Sequence, residues 1–410
     1  METKRDKKRA MAQLGIKKLV NYQIAPINSI LDENDTFVIA PPSAYRSEIF
    51  QIPALMFPGL TLVIEPTVTL LYERVGKLQL YDVRADYIDS SRTNEENVNI
   101  LRKAQKGKLE LLFVTPERLQ NQRFQREIED VFISLVVVDE AHCVTSWGYG
   151  FQSAFLKIGE FIDSLPDSPT KIALTAAALP QEREDICELL FMKQANVFIN
   201  SLYRSNLHFV KYVCNTDLEK IDRMRHLLNG RDYQSCVVYC NTVNMTDRVY
   251  KTLNELFPEK VVEHHSKMDS AERKENDLLF LNGERRIMVA TSSSYLGLNS
   301  SDVDLVIHFD LPRSPMDYYQ QAGRAGQLGQ ASKCVLLYNE NDYIMNRAII
   351  SKTDNVAVRE RMLVALDQMK EYANSSTCLA QQLLSVLGET LDTPCGKCIN
   401  CQKGRVKVPI

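Results

Sequence analysis

Short apolar runs that stop at a polar or turn-forming residue recur along the chain. In the first half they are 37–40, 62–64, 111–114, 135–138 and 172–174, and in the second half 236–239, 287–290, 306–309 and 334–337. These runs are continuous and rich in β-branched residues, without the apolar–polar alternation of a strand that faces water on one side. Strands buried on both faces read this way. Segments of helical length separate them, so each half predicts a parallel α/β sheet covered by helices. After about residue 345 the sheet pattern stops. Val356 to Tyr372 predicts an amphipathic helix, and a second helix is expected from about Cys378 to Leu387. No short-period repeat or low-complexity tract interrupts the chain.

Polar signals directly follow the predicted strands: Pro41 to Ser47, Glu65-Pro66-Thr67, Thr115-Pro116-Glu117-Arg118, Asp139-Glu140-Ala141-His142 and Thr175-Ala176-Ala177. Open α/β sheets bind ligands beyond the carboxyl ends of their strands, which is where these residues fall. The run Val136 to His142 delivers two adjacent carboxylates to such an edge. Asp139 could hold Mg²⁺ through water and Glu140 could polarise an attacking water. A helix N-terminus that merely favours acidic residues would read the same way over four residues.

Composition bounds these expectations. The chain has 410 residues, 45% of them hydrophobic and 25% charged, enough for two or three folded domains and unlike a disordered segment. No apolar run approaches the roughly 20 residues that span a bilayer, so no membrane partner is expected. The basic stretch Lys4 to Arg9 reads as a solvated tail. A net charge of -3 leaves a nucleic-acid partner open, since such proteins often confine positive charge to one groove.

Six of the ten cysteines are scattered through apolar runs, as reduced core cysteines would be, and a cytoplasmic setting is expected. The other four form a pattern: Cys378, sixteen residues, then Cys395-x-x-Cys398-x-x-Cys401. Four thiolates can enclose Zn²⁺ tetrahedrally, with three of them supplied by one loop. A redox pair would need a thioredoxin-like βαβ setting that this segment lacks. A closed structural zinc site is expected, and the lysines and arginine around it (Lys397, Lys403, Arg405, Lys407) are either phosphate contacts or solvated charge.

Asp139-Glu140-Ala141-His142-Cys143-Val144, followed by Ser146-Trp147-Gly148 and Phe151, resembles the DEAH box and aromatic-rich loop of RecQ-type superfamily 2 DNA helicases. The resemblance extends through Gln23, Thr115 to Leu119, Ala173 to Ala176 and Arg204 to Leu207. Further on it includes Val289 to Thr291, Asp302-Val303, His308 to Pro312, Tyr318 to Gln320 and Gly323-Arg324-Ala325-Gly326. It covers nearly the whole chain in the family's order. It implies two tandem RecA-like lobes, residues 1–205 and 206–345, with ATP in the cleft between them, and a helical zinc-binding module over 346–410. Gln23 would read adenine, and Arg46 and Ser47 would fall in the phosphate loop. Asp139, Glu140 and Arg324 would be the catalytic set. Thr115, Arg118, Trp147, Phe151 and Arg204 would face DNA, with Trp147, the one tryptophan, stacking on bases.

The departures from the family matter as much as the matches. Where the family's phosphate loop reads Pro-Thr-Gly-x-Gly-Lys-Ser, this chain has Pro41-Pro42-Ser43-Ala44-Tyr45-Arg46-Ser47. Glycines serve there because the loop takes left-handed torsions and brings N–H groups against phosphate. Other residues lose about 1–2 kcal/mol at each left-handed position. Tyr45 is bulky, Pro42 has no N–H, and Arg46 lacks the compact reach of lysine. Gln327 stands where the family has an arginine finger, worth about 10³–10⁵ in rate. Gln321 replaces a glutamate, Tyr149-Gly150-Phe151-Gln152 replaces His-Asp-Phe-Arg, and Ser294 to Asn299 replaces a phenylalanine–glycine segment ending in aspartate.

The expectation is a helicase-derived DNA-binding protein acting in DNA repair, recombination or DNA-structure recognition, its ATPase impaired or lost and its catalytic residues vestigial. Zn²⁺ is the expected cofactor, ATP and Mg²⁺ are in question, and single-stranded or tailed DNA is the expected partner. A monomer in the cytoplasm is expected, nucleoid-associated in a bacterium. No room follows Cys401 for the family's winged-helix and HRDC domains, so weakened strand separation is expected. A working 3′-to-5′ helicase with an unusual pocket, and a scaffold that binds proteins whose identity the sequence does not reveal, are the alternatives.

Overall fold

A computed structural model describes residues 2–41, 45–89, 91–146, 153–230, 233–292 and 303–402. Its two compact units divide after Ser201. The first contains strands β1 (Thr36–Ile39), β2 (Leu60–Ile64), β3 (Ala85–Ile88), β4 (Leu111–Val114), β5 (Ile133–Val138), β6 (Thr170–Thr175) and β7 (Asn196–Ile199). They form one parallel sheet in the order β3-β4-β2-β5-β6-β1-β7. The second contains β8 (Leu207–Val213), β9 (Ser235–Cys240), β10 (Val261–His264), β11 (Ile287–Thr291), β12 (Val303–His308) and β13 (Ser332–Tyr338). Their order is β10-β11-β9-β12-β13-β8, again parallel throughout. Each half is therefore the α/β layer expected from the apolar runs.

The four strands that no continuous apolar run announces are the edge strands. β3 and β7 close the ends of the first sheet, and β7 leaves Val197 and Ile199 half exposed. β8 alternates, burying Leu207 and Phe209 while its intervening residues stay partly open. β10 is four residues long and carries Glu263 and His264. A strand paired on one side only keeps one face wet, so its sequence loses the run that marks an interior strand.

The helices expected after residue 345 are present as Val356–Asn374 and Leu379–Val386. They belong to the second compact unit, Leu202–Ile410 apart from a short segment. Lys211 of β8 donates to the carbonyls of Ala373 and Ser375, at 2.6 and 2.5 Å. The Tyr372 ring lies 5.2 Å from that of Tyr318. Fully buried Lys220 donates to both Asp342 oxygens, at 2.6 and 2.7 Å, and to the Phe309 carbonyl. This charge is fully hydrogen-bonded, the condition under which a buried ion pair is tolerated. Among the described residues no helix is long and apolar enough to cross a membrane.

Candidate functional site

The carboxyl edge of the first sheet gathers an unusual amount of buried charge. β5 ends at Val138, so Asp139 and Glu140 emerge beside β2, whose end places Glu65 in the same position on the neighbouring strand. Arg46 turns into this group of carboxylates. Its Nη2 lies 3.0 Å from Asp139 Oδ1 and also donates to Glu140 Oε1. Arg74, from the helix Val68–Gln79, reaches Asp139 Oδ2 at 3.3 Å and Glu65 Oε1 at 3.6 Å. Arg46 is 4% exposed, Asp139 2% and Glu65 0%, so these charges are shielded from water and interact strongly.

Three carboxyl groups face two guanidiniums. Burial first, and then the Asp139 carboxylate, push the Glu65 carboxyl well above its ordinary range, which favours its neutral form in this cluster. The anionic neighbours more than offset burial at Arg46 and hold its guanidinium charged. Glu140 adopts a left-handed backbone, φ 49°, with its N–H bonded to Asp139 Oδ1 at 2.8 Å. A non-glycine residue held there carries strain of about 1–2 kcal/mol, so its surroundings impose its position. His142 Nδ1 pairs with Thr175 Oγ1 at 3.1 Å, and that hydroxyl donates to Ala177 O at 2.9 Å, joining the ends of β5 and β6.

Gln23 is fully buried and its amide is occupied. Its Nε2 donates to the Tyr45 carbonyl and to Glu48 Oε2, both at 2.7 Å, while Oε1 accepts from the Val20 N–H at 2.9 Å. Glu48 opens the seven-residue helix Glu48–Ala54, and Ser47 precedes it as its N-cap without a side-chain cap bond. The positive end of that helix therefore meets a carboxylate from its own first turn. Tyr45 is 40% exposed, and positions 42–44 lie outside the described residues.

Thr115 is buried as N-cap of the short helix Pro116–Leu119, and Arg118 Nη2 donates to the Asp89 carbonyl at 3.0 Å. Trp147 and Phe151 lie outside the described residues, as do Ser294 to Asn299 and Asp302. Arg204 belongs to the second unit. Its guanidinium donates to the carbonyls of Gly323, Ala325 (2.9 Å) and Gly326, so it grips the loop that carries Arg324. This commits donors that the sequence reading had directed at nucleic acid. Gly326 sits at φ +63°, and a Cβ there would come within 2.4 Å of Asn206 Nδ2, which makes glycine obligatory. Gln327 is buried. In the same unit Gln321 Oε1 accepts from His308 Nε2 at 2.9 Å, and burial drives that imidazole down to about 3, leaving it neutral.

The four C-terminal cysteines converge, with Sγ atoms all within 4.8 Å of one another. Backbone N–H groups already point at sulfur: Cys395 to Cys378 Sγ at 3.2 Å, Cys398 to Cys395 Sγ at 3.3 Å, and Leu379 to Cys398 Sγ at 3.4 Å. Cys395 is pushed up, chiefly by hydrogen bonding with Cys398, while Cys398 is held down to about 4. Four thiols this close cannot all ionise without a cation, and N–H···S bonds of this kind are the outer shell of a thiolate metal site. The residues fit Zn²⁺.

Models of known families match three successive stretches: a DEAD/DEAH box helicase over residues 20–186, a helicase conserved C-terminal domain over 219–329, and a RecQ zinc-binding domain over 340–402. The chain is 35% identical to the ATP-dependent DNA helicase RecQ of Bacillus subtilis, over 90% of this chain and 62% of that protein. The chain belongs to the RecQ family of superfamily 2 helicases. It is 32% identical to the RecQ of Haemophilus influenzae, over 92% of this chain and 60% of that one, so it spans about three-fifths of these relatives. A putative ATP-dependent RNA helicase of Acanthamoeba polyphaga mimivirus is 31% identical over 93% of this chain and 68% of its own length.

Solved structures carry the same fold. A Mycobacterium smegmatis helicase Lhr bound to ssDNA and AMP-PNP aligns with TM-score 0.68 at 19% identity, over 85% of this chain and 49% of that one. Saccharomyces cerevisiae Dbp5 bound to RNA and ADP BeF3 aligns with TM-score 0.67 at 14% identity, over 88% and 97%. The two sheets are thus the RecA-like lobes of this helicase class, and the cysteine cluster falls inside the RecQ zinc-binding match.

Sequence reasoning singled out Arg46, Asp139 and Glu140 but not the bridge between them, and it missed Arg74 and the roles of Glu65 and Glu48. Glu65 was marked by its position after a strand. Arg74 lies inside an amphipathic helix, where nothing local distinguishes it from a solvated arginine. Replacing Arg46 by Ala would leave the buried carboxylates short of a cation and should destabilise the first unit by about 3–5 kcal/mol at pH 7. A carboxyl raised in the folded state favours folding at low pH and loses that contribution as pH rises through its folded value. The deficit of Arg46→Ala should therefore shrink on acidification toward pH 5, read as chemical-denaturation midpoints of both proteins at the two pH values. An equal deficit at both would contradict the charge assignment.

Proposed function

We propose that this RecQ-type chain binds DNA and does not hydrolyse ATP, because Arg46 stands where Mg²⁺ and the nucleotide phosphates would have to be accommodated. The carrying observation is the buried bridge from Arg46 to Asp139 and Glu140. In the family reading, Asp139 would hold Mg²⁺ through water and Glu140 would orient the attacking water. Both carboxylates already have a cationic partner, which their own negative charge keeps charged against burial. A guanidinium facing inward cannot also reach outward to phosphate, and Gln23 is held by Glu48 and Tyr45. The residues present do not fit Mg²⁺–ATP, and Asp139, Glu140, Ser47 and Arg324 are read as vestiges of an ATPase.

DNA binding needs no such chemistry. Thr115 and Arg118 face the nucleic acid in this reading, and Trp147 and Phe151 supply stacking surface. Arg204 serves as a positioning residue for the Gly323–Gly326 loop. The favoured ligand is single-stranded or tailed DNA, held through phosphates and without sequence preference, in repair, recombination or recognition of DNA structure. Zn²⁺ at Cys378, Cys395, Cys398 and Cys401 completes the module.

Two measurements test this reading. Fluorescence anisotropy with tailed DNA should show binding that weakens steeply with salt, as counterion release requires. Steady-state assays on the same preparation should show ATP turnover no higher than that of Glu140→Gln, with or without DNA. Robust DNA-stimulated turnover lost in Glu140→Gln would establish the working helicase instead, and absence of DNA binding at low salt would favour a scaffold. Metal analysis of protein purified without chelators should find one Zn²⁺ per chain bound by the cysteine cluster, and Cys398→Ser should abolish it and unfold the C-terminal helices.

A further inference from the structure

The basic stretch Lys4 to Arg9, expected as a solvated tail, is part of the helix Glu2–Gln13, which is fixed on the first lobe. Ala10 and Leu14 are buried in the same apolar cluster as Ile27, Ile30 and Phe50, and Met11 and Ile16 pack against it. Positions 10, 11 and 14 have the spacing of one helix face. Arg5, Lys8 and Arg9 fall on the other face and are exposed, as are Lys17 and Lys18 beyond the turn at Gly15.

Two observations separate this face from an ordinary solvated one. From Arg5 to Lys18 there are six cations and one carboxylate, Asp6, a balance of +5; with a total of -3, the rest of the chain carries -8. Among the described residues none of the six pairs with a carboxylate, and Lys7 donates instead to the Asn28 amide oxygen at 3.1 Å. Exposed Lys77, Arg84, Arg123 and Lys157 of the same lobe all have carboxylate partners. The arrangement also works against the helix. Its cations crowd the amino-terminal half, the end at which the macrodipole favours anions, and Arg5 has like charges three and four residues further along. A local conflict of this kind is expected where function requires it, and a bound polyanion would relieve it.

We propose that the exposed face of this helix binds the phosphate backbone of DNA, a contact additional to those around Thr115 and Arg118 and resting on the DNA-binding reading above. The helix has already committed its apolar residues to the core, so it has no apolar face left to enter a bilayer. Protein interfaces favour aromatic residues and are depleted of lysine, whereas here the first large exposed apolar residue is Val20. Lysine and arginine are the side chains that contact phosphate, and such contacts carry no sequence preference.

Fluorescence anisotropy tests this on the zinc-loaded full chain, with labelled tailed DNA over a range of salt. Arg5→Gln/Lys8→Gln/Arg9→Gln should bind more weakly, with a slope of log K against log salt smaller by about 2 than the parent's. Glutamine suits a helix about as well as lysine or arginine, so this variant should melt no lower than the parent. Lys106→Gln/Lys108→Gln/Lys193→Gln removes the same charge from exposed positions elsewhere on the lobe and should keep the parent's slope. Arg5→Lys/Arg9→Lys should keep it too. If the parent binds DNA and the helix variant retains its slope, the inference falls and the DNA-binding reading stands. A parent that does not bind at low salt overturns both. Equal losses in the two glutamine variants would reduce the effect to overall charge and overturn the inference. So would phosphatidylserine vesicles that bind the parent and not the helix variant while the two bind DNA equally, since the face would then belong to a membrane.

Discussion

Three buried carboxyl groups at the end of two neighbouring strands are an arrangement that must be neutralised, and the first lobe depends on how that is done. Burying an isolated carboxylate is far costlier than any single packing contact, so Glu65, Asp139 and Glu140 require cations or protons at the same place. Here the protein provides cations from its own chain, Arg46 and Arg74, and Glu65 is pushed toward its neutral form by burial and by Asp139. In a nucleotide-driven motor a metal ion bound with its substrate carries part of that neutralisation and leaves with the product. A permanent guanidinium does not leave. On the proposed reading, the residue that makes the edge stable also takes the place on which a catalytic cycle would depend.

The rest of the lobe accommodates this choice. Glu48 takes the start of the helix that follows the altered loop, and Gln23 is drawn to it and to the Tyr45 carbonyl. His142 still couples the end of β5 to Thr175 on β6. The second unit also keeps its framework where its chemistry has changed: Arg204 and Gly326 maintain the loop around Arg324, while Gln321 offers a neutral acceptor to a buried neutral histidine. Contacts that build the fold are present throughout, and in the proposed reading the groups that would act on a nucleotide are the ones altered or occupied.

Most of this fold could be read from the sequence because interior strands of parallel sheets are apolar on both faces, and 111–114 or 236–239 can hardly be anything else in a chain of this kind. The edge strands β3, β7, β8 and β10 escaped because a wet face mixes polar residues into short segments. The cysteine cluster was legible since three of its four ligands are local in sequence. The departures from the family's phosphate loop are an expectation of the sequence alone, but where Arg46 turns was not legible, because Asp139 lies 93 residues further along and only the folded sheet joins them. Arg74 and Glu48 carried no local mark at all. The sites on Trp147 and Phe151 fall outside the described residues.

The account stands or falls on whether the first lobe still has a place for Mg²⁺–ATP. Isothermal calorimetry with a non-hydrolysable ATP analogue and Mg²⁺, on the zinc-loaded full chain, measures this directly. No saturable heat at analogue concentrations up to millimolar is the predicted result, with Arg46 seated on Asp139 and Glu140. One-to-one, Mg²⁺-dependent binding with micromolar affinity, lost in Asp139→Asn, would contradict it.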